Sequence, residues 1–180
     1  METKRLFLGT FVDNTLFAPV INNIVDDFSP VCTGKWTEIE NLHFTYKFLG
    51  NVDVEKIPDI IGLLKPILRE FKSVLTIKGI GCFPHPNNPK TLFVKVFNNE
   101  RNIFKSFNKI ERDMESLGIQ KEKRKFQPHV SLLRIKKYDE KFIDVLNNYK
   151  DLNIGLMNKF KIHLVESKLT NEKPIYTIIS

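Results

Sequence analysis

Two short polar clusters with the same spacing could carry out proton-transfer chemistry in this chain. One is His43 with Thr45, and the other is His129 with Ser131, so each half of the sequence holds one cluster. A histidine has a pKa near 6.5 and can give or take a proton at neutral pH. A hydroxyl can hydrogen-bond a phosphate oxygen on which charge develops. Two such clusters facing each other would suit displacement at a phosphodiester, with one imidazole activating water and the other protonating the departing oxygen.

Both clusters lie in segments whose alternation predicts β-strands. In residues 42–49 the alternation predicts a polar face and an aromatic core face, with His43, Thr45 and Lys47 on the first and Phe44, Tyr46 and Phe48 on the second. In residues 128–133, His129 and Ser131 share one face, while Val130 and Leu132 share the other. We therefore expect the two clusters to face each other across a groove.

The rest of the pattern predicts similar elements in both halves. Helices are expected after Asp13 or Asn14, after Asp53 with a kink or a break near Lys65 caused by Pro66, after Asn99 as far as Gly118, and over 139–149. Further strands are expected over 6–12, 74–80, 91–97, 160–169 and 175–179, and a loop over 83–89. The fold class is therefore α+β: one bilobal domain, 1–180, with two pseudo-symmetric lobes of antiparallel-rich sheet, outer helices and an active-site groove between the lobes.

The composition restricts the partners without identifying one. Lys and Arg number 28 against 21 Asp and Glu, which gives a formal net charge of +7. This excess indicates either a solvated surface or attraction to a polyanion, such as RNA or an acidic membrane. Cys32 and Cys82 form no CxxC pair, and the apolar run near the N-terminus is too short for a signal peptide or membrane span. We expect a cytoplasmic protein without a membrane partner, and no metal or other cofactor, because no closely spaced metal ligands are visible.

Several other side chains are candidate RNA or phosphate contacts. Lys123, Arg124 and Lys125 belong to a short, mostly basic segment, residues 120–125, which leads into His129. Such a segment can also be merely solvated. Arg134 follows His129 by five residues, and only a bulge or the end of the strand would bring it to the same face.

Aromatic and remaining histidine side chains are weaker candidates. Trp36 could stack on a base, whereas the alternation assigns Phe48 to the core. His85 is expected in solvent, and a structural role is the simpler interpretation of His163.

The residues around both clusters resemble the signatures of the two-histidine (2H) phosphoesterase superfamily, and within it the RNA 2′,3′-cyclic phosphodiesterases, also called 2′-5′ RNA ligases. Asn41-Leu-His-Phe-Thr-Tyr-Lys-Phe-Leu-Gly50 resembles the first signature, and Arg124-Lys-Phe-Gln-Pro-His-Val-Ser-Leu-Leu-Arg134 resembles the second. The resemblance also covers 5–8, 79–84, 91–94 and 160–169, with Tyr176. Two positions depart from the usual pattern: Tyr46 replaces Leu, which we interpret as a packing change, and Ser131 replaces Thr but keeps the hydroxyl.

The resemblance implies hydrolysis of RNA 2′,3′-cyclic phosphate ends to 2′-phosphates, with reverse 2′-5′ ligation as a further possibility. His43 would be the proton donor and His129 the proton acceptor, while Thr45 and Ser131 would hold phosphate oxygens. Arg124 and Arg134 also match the family pattern. The expected partner is RNA with cyclic ends, tRNA fragments among the candidates, and the oligomeric state stays open, with a monomer as the expectation.

Two alternatives remain open from the sequence. One is an RNA-binding module that uses the same groove without turnover. The other is a phosphoesterase that acts on a small cyclic nucleotide or a 2′-5′ oligonucleotide.

Overall fold

The computed structural model describes residues 2–171 and 173–180. Its strands are β1 (Thr3–Phe11), β2 (Cys32–Trp36), β3 (His43–Asp53), β4 (Glu70–Phe71), β5 (Leu75–His85), β6 (Asn88–Phe97), β7 (His129–Tyr138), β8 (Asn153–Met157), β9 (Phe160–Lys161), β10 (His163–Leu169) and β11 (Pro174–Ile178). Its α-helices are α1 (Ile21–Phe28), α2 (Ile57–Leu64), α3 (Asn102–Ser116) and α4 (Phe142–Tyr149). No helix in the described part of the chain is long and apolar enough to cross a membrane.

Nine of the described strands form one sheet that divides into two halves. The strand order is β11-β10-β1-β3-β7-β6-β5-β8, and β2 also pairs with β7. Neighbouring strands along this path are antiparallel. The halves meet where β3 pairs with β7, at Phe44 opposite Val130. This short junction lets the two halves diverge and creates the groove.

The helices pack on the outer side of both halves, away from the groove. In the first half α3 packs on β3 and α2 on α3, while in the second half α4 packs on β5 and α1 on α4. The core between sheet and helices contains fully buried side chains from both layers, including Phe44, Val130, Ile110 and Met114. The predicted fold class, two antiparallel lobes with outer helices and a groove between them, is confirmed.

Several predicted boundaries were wrong for local reasons. The segment 83–89, predicted as a loop, is the end of a β5–β6 hairpin in which His85 pairs with Asn88. Asp13 caps only a short 3₁₀ turn, and α1 begins at Ile21. Of the kink or break expected near Lys65, the structure shows a break, since α2 stops at Leu64. Strand β8 was not predicted.

Candidate active site

The junction between β3 and β7 places the two polar clusters side by side. Phe44 pairs with Val130 in an antiparallel register. Continuing that register by one residue in each direction sets His43 against Ser131 and Thr45 against His129. Because side chains alternate across a strand, all four lie on the face opposite the buried Phe44 and Val130. The predicted juxtaposition of the two clusters at the groove is therefore present.

Both imidazoles are held in the same way by the main chain. Nδ1 of His43 lies 2.6 Å from the carbonyl oxygen of Asn41, and Nδ1 of His129 lies 2.6 Å from that of Gln127. A carbonyl oxygen can only accept, so each Nδ1 carries the hydrogen and donates it. In both residues Nε2 is then the nitrogen available for proton exchange.

Aromatic rings surround His43. Its ring centroid lies 4.9 Å from Phe7, 5.6 Å from Phe11 and 5.1 Å from Tyr176, whose ring meets it edge-on. Gly9 makes this packing possible, because a Cβ there would lie 2.9 Å from Phe7 Cε2 and 3.0 Å from the carbonyl oxygen of Phe44. The imidazole is thus fixed by its hydrogen bond and by three rings.

His129 has a similar aromatic setting on the second lobe. The ring of Phe83 lies 4.9 Å away and that of Phe93 lies 5.1 Å away, and these two rings stack on each other at 4.2 Å. Ser131 pairs directly with Phe93 on the neighbouring strand.

These surroundings favour the neutral form of both histidines. Burial lowers the pKa of His43, the charge of His129 lowers it further, and the hydrogen bond to Asn41 opposes both effects. Burial also lowers the pKa of His129, opposed by the hydrogen bond to Gln127.

A bulge in β3 overturns part of the predicted alternation. Thr45 pairs with Gly9 and Lys47 with Leu8, so Tyr46 is an extra residue between two ladder positions. Tyr46 and Lys47 therefore both face the core, at 3% and 5% exposure, and Phe48 is 67% exposed. The assignments of Lys47 to the polar face and of Phe48 to the core were wrong. The packing interpretation of Tyr46 agrees with its buried position.

A matching bulge in β7 brings Arg134 to the groove face. Ser131 pairs with Phe93 and Leu133 with Leu92, which makes Leu132 the extra residue. Leu132 and Leu133 are both buried, and Arg134 is exposed. Strict alternation would have placed Arg134 on the opposite face.

Tyr176 provides a second indication of where Arg134 lies. Burial raises the pKa of Tyr176, and the positive charges of Arg134 and Arg5 lower it. Since Tyr176 packs on His43, these two guanidinium groups lie near the groove. Sequence reasoning had assigned no role to Arg5.

The other candidates lie further from the two imidazoles. Trp36 pairs with buried Leu133 and packs against the hydrophobic core, so the structure does not bring it to the groove face. His85 is exposed, as expected, and His163 pairs with Gly9 on the groove side of β10, with its ring 6.3 Å from Phe11.

The basic segment before His129 lies beside α3. Arg124 and Lys125 line a cavity with residues of α3, and Lys123 is exposed in the same segment. Among the described residues, no three His, Cys, Asp or Glu side chains are grouped so that they could hold a metal ion.

Comparisons with known proteins agree with this architecture and site. The family model described as LigT like Phosphoesterase matches residues 15–93 and 96–176, one match in each half of the chain. Among curated proteins, the RNA 2′,3′-cyclic phosphodiesterase of Methanocaldococcus jannaschii is 37% identical over 150 residues, covering 81% of this chain and 82% of that protein. The protein of the same name from Aquifex aeolicus is 30% identical over 182 residues, covering 99% of this chain and 96% of that protein.

Solved structures share the fold at lower identity. TT0787 of Thermus thermophilus superposes with a TM-score of 0.78 at 23% identity, covering 98% of this chain and 95% of that one. E. coli LigT complexed with 3′-AMP superposes with a TM-score of 0.77 at 21% identity, covering 99% and 97%. The fold and the paired His-x-Thr/Ser clusters define a two-lobed phosphoesterase. The chain belongs to the LigT-like phosphoesterase family, and the resemblance inferred from the two clusters is confirmed.

Proposed function

We propose that this protein hydrolyses the 2′,3′-cyclic phosphate ends of RNA to terminal 2′-phosphates, using residues 1–180 as one bilobal domain. The observation that carries the proposal is the pair of main-chain-anchored imidazoles beside two hydroxyls on adjacent strands of one groove. The relatives named above as RNA 2′,3′-cyclic phosphodiesterases support the choice of substrate. The reverse reaction, 2′-5′ ligation, would use the same groups.

The proposed chemistry is an in-line displacement at the cyclic phosphate. Nε2 of His129 takes a proton from water as the water oxygen attacks phosphorus. The bond from phosphorus to the ribose 3′-oxygen breaks, and Nε2–H of His43 gives that oxygen its proton. Phosphate remains on the 2′-oxygen. A second proton exchange with solvent returns both imidazoles to their starting states.

The remaining groove side chains are assigned to the phosphate and the nucleoside. The hydroxyls of Thr45 and Ser131 donate to non-bridging oxygens, which carry increasing charge as water attacks. Arg134 adds a fixed positive charge on the same face. The exposed ring of Phe48 offers a surface on which a base can stack.

The lowered pKa values of the histidines fit this scheme once substrate is bound. In the free enzyme both imidazoles are mainly neutral at neutral pH, which suits the base, His129. A bound phosphate anion favours the imidazolium form of a nearby histidine. Substrate binding would therefore help to load His43 with the proton that it gives to the leaving oxygen.

Incubation with an oligonucleotide that ends in a 2′,3′-cyclic phosphate, with chelator present, tests the proposal. A 2′-phosphate end is expected from the parent protein and none from the His43→Ala, His129→Ala double variant. Binding of the oligonucleotide without any change at its end would instead support the RNA-binding module. Turnover of cyclic mononucleotides or 2′-5′ oligonucleotides alone would support the small-substrate phosphoesterase. A tRNA fragment with a cyclic end tests whether such fragments are among its substrates.

A further inference from the structure

A buried ion pair links the first catalytic strand to a helix on the outer side of the lobe. Nζ of Lys47 lies 2.6 Å from Oε1 of Glu111, and the side chains are 4% and 9% exposed. Lys47 lies on β3, two residues after Thr45, and Glu111 lies on α3. Removing two charges from water is costly, and further hydrogen bonds to both partners offset that cost.

Those further hydrogen bonds all go to the basic segment that precedes His129. Nζ of Lys47 also donates to the carbonyl oxygen of Gln120 at 2.8 Å. The backbone N–H of Glu122 donates to Oε2 of Glu111 at 2.7 Å. The ion pair therefore fixes the beginning of the segment on both β3 and α3.

Aromatic stacking fixes the other end of the same segment. The ring of Phe126 lies parallel to that of Phe107 on α3, with the centroids 4.3 Å apart and an interplanar angle of 1°. It also stacks on Tyr46 of β3 at 5.8 Å. Residues 120–126 are thus held at both ends by the same two elements.

Between the segment and α3 lies an open cavity of about 460 Å³. Four cationic side chains line it, against two carboxylates: Arg112, Lys121, Arg124 and Lys125 against Glu111 and Glu122. Both carboxylates have partners, because Glu111 bonds Lys47 and Glu122 accepts from the backbone N–H of Arg124. Lys121 also pairs with Glu115 at 2.6 Å, and Nε of Arg112 lies 3.7 Å from Oδ1 of Asp113. The lysine pair is half exposed and the arginine is largely exposed, so both contacts are weak enough for an anion to compete with them. A net positive cavity with a preformed wall suits an anion such as a phosphodiester.

We infer that this cavity is a second RNA subsite, which binds a backbone phosphate of the strand whose cyclic end lies in the groove. The inference rests on the proposed function. From Lys125 to His129 the chain spans at most about 14 Å, so one short oligonucleotide can reach both places. Lys47 and Glu111 are positioning residues, because they act by holding the segment.

The first test removes charge from the cavity with an Arg112→Gln, Lys121→Gln double variant. Its KM for a cyclic-ended oligonucleotide should rise about tenfold, because charge-assisted contacts to one phosphate are lost. Its kinetic constants for a 2′,3′-cyclic mononucleotide should change far less, because that substrate has no second phosphate. The logarithm of the association constant for the oligonucleotide decreases linearly with the logarithm of the salt concentration, and the steepness of that decrease should fall by about 0.7, the value for one phosphate contact. Lys65→Gln with Lys72→Gln is the matched control, since it removes the same charge from exposed positions elsewhere.

The second test separates positioning from simple attraction between β3 and α3. A Lys47→Met, Glu111→Leu variant removes both buried charges and leaves neither unpaired, so folding should be retained. A Lys47→Glu, Glu111→Lys variant keeps the attraction but turns a carboxylate toward the Gln120 carbonyl and an ammonium toward the Glu122 N–H. Both variants should lose oligonucleotide affinity while melting cooperatively and retaining mononucleotide turnover. Lys47→Arg, which keeps a donor, should behave like the parent.

The outcomes distinguish this inference from the proposed function. A parent protein that hydrolyses neither substrate overturns the proposed function, and binding of an oligonucleotide with an ordinary 3′-hydroxyl end then still tests the subsite. A parent that hydrolyses both substrates, with oligonucleotide KM and salt slope unchanged in the cavity variant, overturns the subsite. Parent-like behaviour of the reversed pair overturns the positioning role of Lys47 and Glu111.

Discussion

The roles of the two imidazoles can be separated by changing the leaving group. Substituting either histidine by Ala should abolish most hydrolysis, and that result alone assigns no role. A ribose 3′-oxygen leaves as a strongly basic alkoxide and needs a proton, whereas a nitrophenolate leaves readily without one. The attacking water needs its base whichever group departs. His43→Ala should therefore recover much of its deficit on a nitrophenyl phosphodiester, and His129→Ala should not.

The size of the effect follows from how firmly His43 is held. Its Nδ1 is anchored at 2.6 Å and three rings pack around the imidazole. The imidazole is therefore already oriented in the parent, and we expect it to contribute the full effect of a general acid. General acid catalysis typically raises the rate about 10²–10⁴-fold. That range corresponds to about 2.7–5.4 kcal/mol in the activation free energy. We expect a deficit in this range for the cyclic mononucleotide and one below about tenfold for the nitrophenyl substrate.

The assay is the ratio of parent to variant kcat/KM for each histidine variant on both substrates. Phe11→Leu serves as the control for loss of a packed ring, because it removes one of the three rings beside His43 and keeps the imidazole and its Nδ1 hydrogen bond. Recovery of His129→Ala in place of His43→Ala would exchange the two assignments. Recovery of neither would show that one histidine acts as a cation on phosphate and moves no proton.

Three further predictions concern the metal, the hydroxyl and the pH dependence. Because the proposed groups are imidazoles and hydroxyls, turnover should be complete in EDTA, and loss on chelation with recovery in a divalent ion would contradict the mechanism. Ser131→Thr should match the parent in turnover. Ser131→Ala should lower kcat by about 10²–10³-fold, which is the usual loss when one donor to developing oxyanion charge is removed. Parent-like turnover of Ser131→Ala would show that Ser131 does not hold the phosphate. Burial lowers the pKa of both His43 and His129, so a bell-shaped kcat/KM profile should peak below about pH 6.5, and bound phosphate should move the kcat maximum to higher pH. A kcat/KM maximum above about pH 7 would be inconsistent with two depressed pKa values.

The position of the two clusters could be predicted from the sequence because each depends on only a few residues of regular strand. His43 with Thr45, and His129 with Ser131, are two apart, and the alternation holds across that distance. The prediction failed just beyond, at Lys47 and Phe48, because one extra residue in the ladder exchanges the faces of the residues that follow it, as far as the next shift in register. Nothing in a single sequence marks that residue, since the bulge depends on which strand pairs alongside.

The side chains that pack on the two imidazoles from other strands could not be predicted from local sequence patterns either. Phe7, Phe83 and Tyr176 come from three different strands and meet the two imidazoles only through the order of strands in the sheet. The hairpin end at 83–89 was missed because its composition, rich in Pro and Asn, is typical of loops. The pairing of Lys47 with Glu111 joins two elements far apart in the sequence.

The two lobes repeat a backbone geometry and differ in the side chains that it presents. In both β3 and β7 the histidine and the hydroxyl lie on the groove face, one extra residue follows, and the side chain five positions after the histidine then lies on the groove face. That side chain is Phe48 in the first lobe and Arg134 in the second. A symmetric frame cannot by itself decide which imidazole is the acid, so the difference must come from such neighbours. In the proposed mechanism, Phe48 favours the nucleoside, and with it the ribose oxygen that would leave beside His43, while Arg134 favours the phosphate that water would attack beside His129.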